Sequence, residues 1–370
     1  MKIAIVLETT GDGLMFGREE FHQFGLLAWE HGHIVQIFDL GPNYVAEGCV
    51  KQKWVAEVVK DFDWCLLSLH VNPRTKAFFR DIKKGKVKIA YFSHDLMTTT
   101  YDVIGDDGKV PELMFIQTKL QMDYKTPQGY EKCKRVAIPS IKLDIYSDYR
   151  LKRYYGSGMD VAMREIRCTK GGTFKKRYDR DTKLVTIVVN FGAGAGRKHV
   201  DTRIMCEVLE SAGFTVKYKG TSYPMVVEDR VTEFHGLLGV IESTAKSKFM
   251  ISESSGTIVD AIYGGSIPIL MVSSNDPINN PVVKVIGKEG DVDIVEHFEE
   301  AGYPRYKIVK TLPVAWVENT DKVGEPLLEK LKHLSEHYED NVRILQDAWC
   351  IKSDIPAHQT MLKELEEYGT

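Results

Sequence analysis

Short apolar runs closed off by turn residues alternate with longer amphipathic stretches along this chain, and they do so in two separate series. The pattern calls for parallel strands joined by crossover helices, because a strand buried on both faces reads as an unbroken apolar run. In the first series the expected strands are Lys2 to Leu7, Ile34 to Leu40, Trp64 to Leu69, Val87 to Phe92, Met114 to Gln117 and Arg135 to Ile138. Helices such as Glu19 to His31 and Lys51 to Lys60 lie between them. The second series opens at Leu184 with Leu-Val-Thr-Ile-Val-Val-Asn. It continues through helix Asp201 to Ala212, strand Thr215 to Lys219, helix Gly239 to Ser247, strand Phe249 to Ser252, helix Thr257 to Tyr263 and strand Ile267 to Val272. Each series can form its own doubly wound sheet.

Two series fit the length: 370 residues exceed what one core usually supports. The expected division is a first Rossmann-like domain over 1–165, a second over 166–345, and a helical 346–370 crossing back to the first. The stretch Lys142 to Lys183, with Gly156, Gly158, Gly171 and Gly172, is the linker candidate. After Val323 the pattern is helical, from Pro326 to Trp349 and from Pro356 to Tyr368.

Composition excludes several classes. A hydrophobic share of 43% with 27% charged residues is that of an ordinary globular chain. No apolar run approaches the roughly 18 residues of a membrane span, and Met1 to Leu7 is too short for a signal peptide. The six cysteines are scattered, without a CxxC pair or a histidine cluster, so neither zinc nor a disulfide framework is indicated. A cytoplasmic, reduced, monomeric chain is expected. The net charge of −3 hides one asymmetry: from Arg150 to Lys183 there are 11 Lys or Arg against four acids, an excess of +7.

Parallel sheets take ligands at the carboxyl ends of their strands, so chemistry-bearing segments should follow strands. The strongest is Asn190-Phe191-Gly192-Ala193-Gly194-Ala195-Gly196-Arg197-Lys198, between a strand and a helix. Gly192, Gly194 and Gly196 let backbone approach a phosphate closely, the helix that follows supplies unpaired N–H groups, and Arg197 and Lys198 add full charges. This is a diphosphate cradle, although neither a Walker A motif nor a regular GxGxxG. The second segment runs from Ser252 and Glu253 through Ser255, Gly256, Thr257 and Asp260 to Gly264-Gly265-Ser266-Ile267-Pro268. A polar strand end leads into a short helix bearing Asp260, a Gly-Gly stop and a new strand. It resembles the donor region of GT-B nucleotide-sugar transferases, in which a carboxylate binds the ribose hydroxyls. Because the two acids here are not glutamates at that spacing, Glu253 and Asp260 both stay candidates.

The third segment, Ala90-Tyr91-Phe92-Ser93-His94-Asp95, sits at a strand end of the first series. A His-Asp pair there can carry a proton or position an acceptor hydroxyl. Asp12, Arg18, His70, Asn72 and Arg74 are further strand-end candidates, as is Glu8.

Taken together, Met1 to Val6, Gly11-Asp12-Gly13, Glu30-His31-Gly32-His33-Ile34-Val35, Tyr91 to Asp95, the Gly-rich loop with Arg197, and Gly265-Ser266-Ile267-Pro268 resemble the bacteriophage glucosyltransferases that modify 5-hydroxymethylcytosine in DNA. The order and rough spacing agree over most of the chain. The resemblance implies an α/β GT-B fold, with two Rossmann-like domains facing across a cleft and C-terminal helices packing back on the first. It implies a UDP-sugar donor held by the second domain, a flipped-out DNA base presented to the first, Asp95 as catalytic carboxylate beside His94, and protection of phage DNA inside an infected bacterium. A divalent cation, Mg or Mn, could assist product release, but no DxD motif demands one. The basic segment suits that reading: Arg150, Lys152 and Arg153, then Lys175, Lys176 and Arg177, interleave with tyrosine and phenylalanine as phosphate contacts and stacking platforms do. Two alternatives stand beside it, a GT-B enzyme with a carbohydrate or small-molecule acceptor, and a non-catalytic nucleotide sensor.

Overall fold

A computed structural model describes residues 1–9, 18–42, 49–68, 73–92, 110–123, 131–141, 166–168, 174–176, 181–189, 202–220, 247–252, 257–273, 284–298, 307–311, 314–317 and 324–368. The chain divides into two compact units. Residues 1–157, 170–172 and 351–370 make up the first, and 158–169 with 173–350 the second.

The first unit is built on a six-stranded parallel sheet of order β2-β1-β3-β4-β5-β6. Its strands are β1 (Lys2–Thr9), β2 (Ile34–Pro42), β3 (Trp64–Ser68), β4 (Lys88–Phe92), β5 (Leu113–Ile116) and β6 (Lys134–Ala137). Four helices interleave with them: α1 (Arg18–Glu30), α2 (Val50–Val59), α3 (Pro73–Ile82) and the short α4 (Lys119–Asp123). Both faces of the sheet are covered, so β3 is buried at every position from Trp64 to Ser68. One face packs Val55, Val59, Phe78, Phe79 and Ile82 of α2 and α3 against Leu67 and Tyr91. The other packs Phe21, Phe24 and Leu27 of α1 against Ile5, Leu66 and Phe115.

Gly32 sets the exit from α1. It adopts φ +83°, and the His33 N–H reaches back to the Ala28 carbonyl at 3.0 Å, a left-handed cap that turns the chain straight into β2.

The second unit holds a parallel sheet of order β10-β9-β11-β12-β16, made of β9 (Asp181–Val189), β10 (Thr215–Gly220), β11 (Ser247–Ser252), β12 (Ile267–Ser273) and β16 (Val314–Val317). Its helices α5 (Thr202–Ser211) and α6 (Thr257–Gly264) follow the expected alternation, and Gly265 at φ +75° repeats the glycine cap after α6. An antiparallel sheet of β13 (Lys284–Glu289), β14 (Val292–Phe298) and β15 (Lys307–Thr311) is inserted before β16. The helical stretch from 326 to 349 is two helices, α7 (Gly324–Glu336) and α8 (Tyr338–Trp349), separated at His337 by non-helical backbone of φ −122° and ψ 46°.

After Cys350 the chain returns to the first unit as α9 (Ala357–Glu367), whose Ala357, Met361, Leu362 and Leu365 enter the core on the α1 face. The Trp64 indole N–H donates to the Leu365 carbonyl at 3.1 Å, and Lys88 donates to the Tyr368 carbonyl at 3.0 Å while lying 5.5 Å from the Trp64 ring centre. Helix α9 is therefore part of the first unit's core.

Two further expectations changed on the described residues. Within the stretch read as linker, β7 (Ile166–Cys168) and β8 (Phe174–Lys176) pair antiparallel, Arg167 opposite Lys175; a cross-strand ladder lets this basic sequence order itself without a large core. Ser247, expected to end a helix, begins β11, where its carbonyl accepts from the Ser266 hydroxyl at 2.9 Å. The remainder of that helix, 239–246, lies outside the described residues.

Candidate site at the strand ends

The second unit aligns the two segments singled out for nucleotide binding. In β9 and β11, Val188 stands in register with Ser252, and Ser252 in turn with Leu270 of β12. Segment 190–198 continues from the end of β9, and 253–256 from the end of β11. The strands they leave are thus neighbours in the sheet, with the usual spacing of about 4.8 Å. The glycines and cations of the cradle (Gly192, Gly194, Gly196, Arg197 and Lys198) lie outside the described residues, as do Glu253, Ser255 and Gly256.

Helix α6 begins at this same edge. Ile258 to Gly264 are all buried, and the helix is fixed from behind: the Gln346 amide donates to the Ile262 carbonyl at 3.0 Å, and the Tyr338 hydroxyl to the Gly265 carbonyl at 2.6 Å. Thr257 opens the helix half-buried, and Asp260 is a buried carboxylate in its first turn. A negative group there is favoured by the amino-terminal half-charge of the helix.

Among the described residues, three buried hydroxyls make no hydrogen bond: Ser68, Ser140 and Ser252. Ser68 ends β3, Ser140 lies three residues past β6, and Ser252 ends β11, so all three mark carboxyl ends of parallel strands. Leaving a buried polar group unpaired costs about 1–3 kcal/mol. Sequence reasoning missed them, although each carries a signal: a serine at or just past the end of a fully apolar strand, as in Trp-Cys-Leu-Leu-Ser.

In the first unit, Phe92 at the end of β4 packs edge-on against Phe21 of α1, with ring centres 4.9 Å apart. This contact brings the first turn of α1, which Arg18 opens, to the strand end from which Ser93-His94-Asp95 continue. Arg74 is the second residue of α3, which follows β3 and Ser68. Lys175 and Lys176 lie in β8. Asp12, His70, Asn72, His94, Asp95, Arg150, Lys152, Arg153 and Arg177 lie outside the described residues.

Other chemistry is narrowed. Burial pushes the Cys133 thiol up to about 12, with Glu112 adding to the effect, and raises that of Cys65 further, so neither supplies a thiolate near neutral pH. Among the described residues no group of three His, Cys, Asp or Glu is placed to hold a metal ion, and no helix is long and apolar enough to cross a membrane.

No family model matches the sequence, and no curated protein does. Solved structures do match the fold. The Methanocaldococcus jannaschii UDP-GlcNAc 2-epimerase in complex with UDP-GlcNAc and UDP is 11% identical at a TM-score of 0.58, covering 100% of both chains. The S. aureus MnaA–UDP co-structure is 14% identical at 0.57, over 99% of this chain and 96% of that one. The Neisseria meningitidis UDP-GlcNAc 2-epimerase bound to UDP-GlcNAc is 11% identical at 0.54, over 99% and 100%. The chain has the GT-B fold. Two parallel Rossmann-like sheets and a C-terminal helix returned to the first unit are the GT-B features that the described residues carry.

Proposed function

We propose that this GT-B chain binds a UDP-sugar at the carboxyl edge of its second unit and transfers the sugar to the hydroxyl of a carbohydrate or small-molecule acceptor. The observation that supports the reading is the register of Val188 with Ser252, adjacent strand ends from which the Gly-rich segment and the Glu253–Asp260 segment follow in sequence. The named ligands of its fold neighbours, UDP and UDP-GlcNAc, support the donor class. Gly192, Gly194, Gly196, Arg197 and Lys198 hold the diphosphate, and Glu253 or Asp260 holds the ribose, with Ser255, Gly256 and Thr257 beside it. In transfer, the acceptor oxygen bonds to the anomeric carbon as the bond to UDP breaks. UDP departs with the electron pair, its charge stabilised by Arg197 and Lys198, and Asp95, oriented with His94, takes the hydroxyl proton.

A second reading, with 5-hydroxymethylcytosine in duplex DNA as acceptor, is favoured by the +7 segment from Arg150 to Lys183 and its interleaved aromatics. One experiment separates the readings: incubate the full chain with radiolabelled UDP-sugars and either a panel of glycan acceptors or hydroxymethylated duplex DNA. Label on a glycan supports the first reading and label on DNA the second. Conversion of UDP-GlcNAc to its C2 epimer without transfer would replace both by an epimerase, and UDP binding with no turnover would leave a sensor.

A further inference from the structure

Strand β2 is an edge strand, paired among the described residues with β1 alone. Ile34 donates its N–H to the Met1 carbonyl at 2.9 Å, and the parallel register runs from Lys2 with Ile34 to Leu7 with Asp39. The alternation of a parallel ladder then turns the N–H and C=O groups of Val35 and Ile37 to the outer edge.

Edge strands of monomeric proteins are usually blunted by lysine, proline or an early bulge. Here the proline, Pro42, and a register shift come only at the carboxyl end of the strand, and the run before them, Ile-Val-Gln-Ile-Phe-Asp-Leu from Ile34 to Leu40, has no lysine. Its single charge, Asp39, is held by Lys51 of α2 at 2.9 Å.

The surroundings are apolar as well. Eight large apolar side chains are exposed among the described residues, and five of them gather here: Trp29 (68%), Ile34 (57%), Ile37 (41%), Val50 (86%) and Trp54 (58%). Trp29 lies in the last turn of α1, Val50 and Trp54 lie on α2, and the Trp54 ring is 6.3 Å from that of Phe38 in β2. Both helices pack on β2, α1 from one face of the sheet and α2 from the other. These five side chains present on the order of 600 Å² of apolar surface, the upper end for a monomer's largest patch, against about 800 Å² that each partner gives to a standard interface.

We infer that this edge is a self-association surface, on which a second copy of the chain pairs β2 with β2. A two-fold axis normal to the sheet runs the two strands antiparallel and satisfies the outward groups of both at once. Because Asp39 is already paired with Lys51, the copy brings no unpaired like charge to the seam. The surface belongs to the first unit alone, so it stands or falls independently of the donor site.

Sedimentation equilibrium of the full chain at micromolar concentration tests it. The expected result is a species of twice the 42.0 kDa chain mass. Ile37→Lys, which places a charge on the seam, and Trp54→Glu, which alters a side chain outside the core, should each weaken the dimer at least about tenfold. Far-UV circular dichroism and UDP affinity should stay unchanged in both. A wild-type chain that remains at 42.0 kDa, or a dimer that neither substitution weakens, would overturn the inference.

Discussion

Val188 and Ser252 face each other in register across β9 and β11, and the Ser252 hydroxyl is buried without a hydrogen bond. The pair lies at the two strand ends from which the segments proposed to bind the nucleotide continue, and it leaves a polar atom at one of them. Removing that atom should act oppositely on fold and ligand. Ser252→Ala should leave the thermal midpoint of the unliganded chain unchanged or slightly raised, because an unsatisfied group is lost, and weaken UDP binding about three- to tenfold. Thermal melts with and without UDP read both effects; a destabilised free chain with normal UDP affinity would make Ser252 purely structural.

Asp260 and Glu253 compete for the ribose. Asp260→Asn keeps size and helix position while removing the charge, and should raise the UDP dissociation constant about ten- to hundredfold if this carboxylate holds the hydroxyls. Calorimetry on Asp260→Asn and Glu253→Gln side by side assigns the role to whichever variant loses affinity.

Leu365 of α9 is buried in the core of the first unit, and its carbonyl accepts from Trp64. Leu365→Ala should cost about 2–5 kcal/mol, read as a lower urea midpoint for that unit. A loss under about 0.5 kcal/mol would mean that α9 rests on the unit without completing it.

Both sheets were legible, apart from β16 at Val314 to Val317, because their strands are short apolar runs between glycine and polar turns: Trp64 to Leu67 or Phe249 to Ile251 need no tertiary information. The antiparallel β13 to β15 was not, since Lys284 to Glu289 and Lys307 to Thr311 mix charge with apolar residues and are ordered by cross-strand pairing rather than by period. The break at His337 was hidden by continuous helical periodicity on either side. The candidate loops were proposed from glycine and charge and lie outside the described residues, whereas the orphan hydroxyls of Ser68, Ser140 and Ser252 depend on which neighbours the fold provides.

Asp291 carries an acid-sensitive contribution. Hydrogen bonds from Asn341, first, and then from His337 hold its carboxyl below the ordinary value, against a smaller opposing effect of burial. A folded value below the unfolded one stabilises above the unfolded pKa of about 3.9, and that stability is lost as pH falls through the folded value. Asp291→Asn should therefore narrow the stability difference between pH 7 and pH 3, measured by urea unfolding at each. An unchanged difference would remove Asp291 from the acid response.

Calorimetric titration of UDP into the full chain, its Arg197→Ala variant and its Asp95→Asn variant tests the central claim most directly. UDP should bind the wild-type chain, Arg197→Ala should weaken that binding by about tenfold or more, and Asp95→Asn should leave it within about twofold while abolishing turnover. The account is contradicted if UDP fails to bind at millimolar concentration, or binds equally well without Arg197.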